Sequence, residues 1–175
     1  MKNLLLAAML LFAAPALAAL DIKDIALGAK EQDIKRVFPS AHCRALQWES
    51  KAADRRCDDS RVGFGEVEVQ VTFYLRKDAL EAFDVRFDTR ELERFVAFLK
   101  SRYGAPVTET KDTYQRKDRG ERYVYKVLWE DGKQRAVLTA QLEKRRASML
   151  VSRGNFEEEI YLVRLEKSGS EPDFP

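Results

Sequence analysis

The chain has 175 residues, with 31 Lys and Arg against 29 Asp and Glu and a formal net charge of +2. That length fits one domain, or two small similar halves that share a core. The near-balance of charge argues against a nucleic-acid-binding domain, which would be strongly basic. One histidine and two cysteines exclude most metal sites.

Residues 1–18, MKNLLLAAMLLFAAPALA, have the pattern of a cleaved export signal. Lys2 is the positive n-region, residues 4–14 are the apolar stretch, and residues 16–18 are the small-x-small cleavage site. A membrane-anchoring helix is disfavoured because Pro15 interrupts an apolar run that is already short for a bilayer. We therefore expect a periplasmic or secreted protein with no transmembrane segment after signal cleavage.

Cys43 and Cys57 are the two cysteines, and in an oxidising compartment they are expected to pair. The sequence between them is polar and predicts irregular structure with little core of its own, so a disulfide would stabilise this segment as a covalent cross-link. A redox pair would favour the C-x-x-C spacing, which is absent.

The first half alternates between helix and strand patterns. Residues 28–39 predict a short amphipathic helix that ends at a proline, and residues 66–75 alternate strictly, as a half-buried strand does. Residues 76–78 are the predicted turn and residues 83–87 the partner strand. Residues 62–65 fit either a short strand of their own or the start of the long one.

The second half opens with the best helical pattern, at residues 89–103, with Asp88 or Thr89 as its cap and Gly104 after its end. Four strands are predicted after it, with Asp131-Gly132 as a two-residue hairpin turn. Residues 155–165 fit a helix or an edge strand, and we favour the helix. The predicted strands cover residues 107–117, 122–130, 135–143 and 147–153.

This order predicts an α+β fold: an antiparallel sheet, made of a hairpin plus a four-strand meander, with helices packed on one face. We expect a single domain over residues 19–165 and a disordered tail over residues 166–175. The order also permits a pseudo-repeat of helix-plus-sheet halves, at about residues 19–88 and 89–165.

Two segments support a family resemblance. Residues 25–29 (IALGA), followed by a short helix ending Val37-Phe38-Pro39, resemble the opening of small exported bacterial domains of the BamE/SmpA and β-lactamase-inhibitor-like type. Residues 92–106, ending LKSRYGAP, resemble a helix end found in uncharacterised periplasmic proteins of similar build. The resemblance implies a helix followed by antiparallel sheet, and a role in binding envelope proteins or inhibiting enzymes.

Catalytic groups are sparse in the sequence. His42, the single histidine, lies beside Cys43, and the sequence has no G-x-S-x-G motif that would supply a nucleophilic serine. We therefore interpret His42 as a surface residue. Glu66 and Glu68 are expected on one face of a strand, roughly 7 Å apart, which leaves a carboxylate-dependent cell-wall hydrolase as the weakest alternative. We expect no enzyme activity, no cofactor and no metal.

Two surfaces are candidates for binding. Tyr123, Tyr125 and Trp129 alternate along one strand and form either an aromatic platform or core beneath the long helix. The first and third turns of the meander should emerge at one end and make it basic; their candidate residues are Arg119, Lys144, Arg145 and Arg146.

These observations predict a non-enzymatic binding protein that contacts another envelope protein. The basic end would also suit anionic lipid or lipopolysaccharide. The rival prediction is an inhibitor or immunity protein against a lysozyme-like or peptidase-like enzyme.

Overall fold

A computed structural model describes residues 19–47, 50–116, 120–154 and 156. The predicted export signal, Arg119, most of the predicted element at 155–165 and the predicted tail lie outside these residues. The elements, in chain order, are β1 (Asp21–Ile22), β2 (Ile25–Ala26), α1 (Glu31–Val37), β3 (His42–Ala45), β4 (Arg55–Phe64), β5 (Val67–Arg76), β6 (Ala79–Phe87), a 3₁₀ turn (Thr89–Glu91), α2 (Leu92–Tyr103), β7 (Thr108–Arg116), β8 (Gly120–Asp131), β9 (Gln134–Gln141), a 3₁₀ turn (Leu142–Lys144) and β10 (Arg146–Arg153).

Eight of the strands form one antiparallel sheet in the order β3-β4-β5-β6-β10-β9-β8-β7. Each half of the chain therefore contributes a four-strand meander. The last strands of the two meanders, β6 and β10, pair with each other at the centre, an arrangement we call the seam. The prediction of a hairpin plus one meander was wrong for the first half, and α+β holds only broadly because strands outweigh helices.

In the first half of the chain, the segment around the two cysteines was predicted to be irregular. It forms β3 and β4 instead, with Cys43 directly opposite Cys57. Residues 62–64 are the end of β4 and not a separate strand. The period-two pattern is hidden in β4 because a register shift between Asp59 and Val62 changes which residues face the core.

The helices and the core lie on one side of the sheet, which we call the helix face. The predicted alternation of β5 is confirmed, since Val69, Val71 and Phe73 are all buried there. The ring of Phe38, just after α1, lies 4.9 Å from that of Phe73. From α2, Phe95 contributes to the same core, with its ring 5.8 Å from that of Phe64.

Helix α2 begins and ends as its sequence predicts. Asp88 accepts a hydrogen bond from the backbone N–H of Arg90 at 2.9 Å, which caps the 3₁₀ turn that leads into the helix. Gly104 follows the helix with φ +84°, and its N–H donates to the carbonyl of Lys100 at 3.0 Å. Helix α1 is shorter than the predicted residues 28–39. The two-residue turn between β8 and β9 is Gly132-Lys133 and not the predicted Asp131-Gly132, because Asp131 pairs with Gln134.

The opposite side of the sheet is the open face. A small apolar cluster covers one end of it, where residues 52 and 53 of the β3–β4 connection and Phe156 pack on Ala82 and Tyr74. The Tyr74 and Phe156 rings are 5.4 Å apart. Within the described residues, none of the helices has the length and apolar character needed to cross a membrane.

Candidate functional site

The open face contains a concavity of about 760 Å³ at the seam. Its position follows from pairing: Arg86 of β6 lies directly opposite Ser148 of β10, and Ser148 lies opposite Thr139 of β9. Strands of both halves contribute to it. Its lining consists of Ser60, Glu68, Val69, Gln70, Arg86, Phe87, Asp88, Thr139, Gln141, Lys144, Arg145, Arg146, Ala147 and Ser148.

The turn between β9 and β10 makes one side of this concavity basic. Lys144, Arg145 and Arg146 are all exposed there. Arg145 has φ +50°, a left-handed conformation that lets the chain reverse from the 3₁₀ turn into β10. The basic residues predicted at one end of the sheet thus lie beside the open face, next to the two central strands.

Two of the other charged residues of the lining, Arg86 and Asp88, are already paired. Arg86 Nε donates to Asp84 at 2.7 Å. Arg90 bonds to Asp88 at 2.9 Å through its side chain. The side-chain and backbone hydrogen bonds from Arg90, together with the charge of Arg145, hold the pKa of Asp88 below its usual range. The concavity therefore keeps a cationic side at neutral pH.

The predicted aromatic platform is divided by the structure. Tyr125 and Trp129 are buried on the helix face, so they are core residues beneath α2. Trp129 Nε1 donates to the carbonyl of Gly104 at 3.0 Å, and its ring meets that of Tyr103 at 6.1 Å, edge to face. Tyr123, on the same strand, is 47% exposed.

A second groove lies on the helix face, between α2 and β7–β8, with a volume of about 540 Å³. Its cations already have partners: Arg90 bonds to Asp88 at 2.9 Å, and Lys111 Nζ lies 5.8 Å from the centre of the Tyr125 ring. Lys100 bonds to Glu109 at 2.7 Å, and Tyr125 Oη donates to the same carboxylate. These two bonds lower the pKa of Glu109, while burial and the bond to Glu109 raise that of Tyr125. The groove is thus balanced in charge and partly filled by its own hydrogen bonds.

The predicted disulfide is present, with Cys43 and Cys57 bonded across the β3–β4 ladder. The carboxylate of Glu31 lies close to the two sulfur atoms. Because the sulfurs are bonded to each other and Glu31 accepts from Arg55 at 2.7 Å, the three groups do not form a metal site.

The carboxylate pair considered for sugar chemistry does not share a strand face. Glu66 lies in the β4–β5 turn with φ +61°, and β5 begins only at Val67. Glu68 lines the concavity instead. His42 is exposed on β3, at the edge of the sheet.

Sequence reasoning missed Arg86, Gln70 and Ser148 as site residues. All three occupy the outward positions of alternating strands, so their exposure was predictable. Gln70, Arg86 and Ser148 lie next to one another only because β6 pairs with β10, and this pairing joins residues that are far apart in the chain.

Comparisons of the chain with protein-family models, with curated proteins and with solved structures found no match.

Proposed function

We propose that this chain is an exported, non-enzymatic binding protein that presents the open face of its sheet to another protein of the cell envelope. Export is inferred from the signal pattern of residues 1–18. The disulfide is compatible with a periplasmic or extracellular location.

The concavity at the seam is the observation that carries this proposal. It stands mainly on hydrogen-bonded strands of both halves, so the backbone positions that carry its floor side chains are fixed before a partner arrives. A preformed surface loses little conformational freedom on binding, which favours recognition of another folded protein. A partner spanning both halves would also contact the outward side chains of β5 and β9.

Affinity capture from the host's own envelope extract tests the proposal. The mature chain, residues 19–175 with its disulfide formed, is immobilised, and retained proteins are identified by mass spectrometry after a wash at moderate salt. We expect one dominant protein. Retention of nothing above background would contradict the proposal.

A matched pair of variants links retention to the open face. Ser148→Trp fills the concavity, whereas Gln32→Trp places the same side chain on the exposed side of α1. We expect Ser148→Trp to lose the partner and Gln32→Trp to keep it. Equal retention by both variants would remove the open face as the binding surface.

The identity of the retained protein separates the rival classes. An assembly partner supports a structural binding role. An enzyme whose activity falls in proportion to added protein supports the inhibitor or immunity role. Clearing of a peptidoglycan gel by the chain alone would support the hydrolase alternative instead.

A further inference from the structure

We propose, on the basis of the function proposed above, that the concavity binds an acidic segment of the partner protein. Carboxylates of that segment would pair with the turn formed by Lys144, Arg145 and Arg146. Its backbone would lie on the polar floor of the concavity.

Charge is the first argument. Within the described residues, Lys144, Arg145 and Arg146 make no hydrogen bond or salt bridge, so their donors face solvent. Of the two carboxylates in the lining, Asp88 is bonded to Arg90. The lining thus holds three cations that make no hydrogen bond or salt bridge among the described residues, against the carboxylate of Glu68 and an Asp88 already bonded to Arg90. Guanidinium groups bind carboxylates through paired N–H donors, so two of the three cations suit such a ligand geometrically.

The floor is the second argument. It is polar: Arg86, which is bonded to Asp84, lies between Gln70 and Ser148. The other polar side chains of the floor are uncharged hydroxyls and amides, which both donate and accept hydrogen bonds, as an extended backbone requires. Small-molecule pockets are lined mainly by apolar side chains. Here only Val69, Phe87 and Ala147 of the lining are apolar, and all three are buried. The uncharged polar residues of the floor are Ser60, Gln70, Thr139, Gln141 and Ser148.

Apolar exposure is the third argument, and it separates a protein segment from a lipid surface. Proteins that lie on membranes insert apolar side chains beside their basic residues. The large apolar side chains that the described residues expose are Val107, Tyr123 and Leu142. The lining of the concavity contains none of them. Leu142 belongs to the same turn as Lys144, but it lines the groove on the helix face and not the concavity. An acidic protein segment therefore fits the concavity better than lipid headgroups.

Peptide binding tests the inference. A fluorescein-labelled peptide of alternating Glu and Thr is titrated with the mature protein at low salt and followed by fluorescence anisotropy, with a Gln-Thr peptide as the neutral comparison. We expect the Glu-Thr peptide to bind more tightly than the Gln-Thr peptide, and its affinity to fall as salt screens the charges.

A pair of double variants controls for net charge. Arg145→Ser with Arg146→Ser should weaken Glu-Thr binding by about tenfold, equivalent to about 1.4 kcal/mol. Arg76→Ser with Lys133→Ser removes the same charge from the opposite end of the sheet, where β5 ends and β9 begins. This control should change the affinity by less than about twofold.

Three outcomes would overturn the inference. The two peptides could bind equally, or both double variants could weaken binding to the same extent. Alternatively, phosphatidylglycerol vesicles could bind the protein and displace the Glu-Thr peptide, which would assign the basic turn to a lipid surface.

Capture with the Arg145→Ser, Arg146→Ser double variant distinguishes this inference from the proposed function. If that variant retains the same envelope protein as the wild type, the binding function stands and the acidic-segment inference fails. If the wild type retains nothing, the proposed function itself fails.

Discussion

Gly65 is the position at which the structure makes its sharpest prediction about stability. It lies in the β4–β5 turn with φ +61°, where side chains other than that of glycine are disfavoured. A Cβ atom at this position would lie 2.3 Å from Cδ1 and 2.4 Å from Cγ of Phe98. The Phe98 ring is half-buried and packs at 4.9 Å from the ring of Phe64 and 6.2 Å from that of Phe95, so admitting a methyl group disturbs these contacts.

Gly65→Ala should therefore carry two separate costs. The left-handed backbone costs an alanine about 1–2 kcal/mol, and forcing a methyl group into a packed ring costs about 1–3 kcal/mol. We expect the free energy of unfolding to fall by about 2–5 kcal/mol, the sum of these two terms. Urea denaturation monitored by tryptophan fluorescence measures this free energy, and we expect its dependence on urea concentration to be the same for the variant and the wild type.

Gly132→Ala is the matched control. Gly132 has nearly the same φ, +59°, but an added Cβ would meet no atom within 4 Å, so it should show the backbone cost alone. Combining Gly65→Ala with Phe98→Ala should give less destabilisation than the two single losses added together, because the second change removes the clash. Equal losses for the two glycine variants would refute the argument from the Phe98 contact.

Two further predictions concern the first half of the sheet. Replacing Cys43 and Cys57 together by alanine should lower the free energy of unfolding by about 3 kcal/mol, the loop-closure value for this spacing; urea denaturation of the variant and of reduced wild type should agree, and an unchanged midpoint would contradict the prediction. Hydrogen bonds from Arg55 and Lys35 lower the pKa of Glu31, so this carboxylate stabilises the fold above its unfolded pKa of about 4.3, and the stabilisation is lost as pH falls through the folded value. Glu31→Gln should cost up to about 1 kcal/mol at neutral pH and progressively less as the pH falls below 4; an equal cost at both pH values in urea titrations would exclude the ion pair as the cause.

Local sequence patterns were enough to predict the elements whose burial is regular. Strand β5 was recognisable because its apolar residues alternate without interruption, and α2 because its apolar stripe is bounded by Asp88 and Gly104. Strand β4 was not, because the register shift after Asp59 moves the buried positions from odd to even residues. Asp59 is itself buried and accepts a hydrogen bond from Ser40 Oγ at 2.7 Å, so polarity at that position did not indicate exposure.

The same limit explains the candidate site. The sequence could place Lys144, Arg145 and Arg146 on a turn, and it could assign Arg86 to the outward side of its strand. It could not bring them together, because that requires β10 to pair with β9 of its own meander on one side and with β6 of the other meander on the opposite side. Had β10 been an edge strand, the same basic turn would lie at the rim of the sheet, away from the floor residues of β5. The central position of the last strand therefore makes a basic turn one wall of a concavity, and a ligand that fills this concavity contacts both halves of the chain.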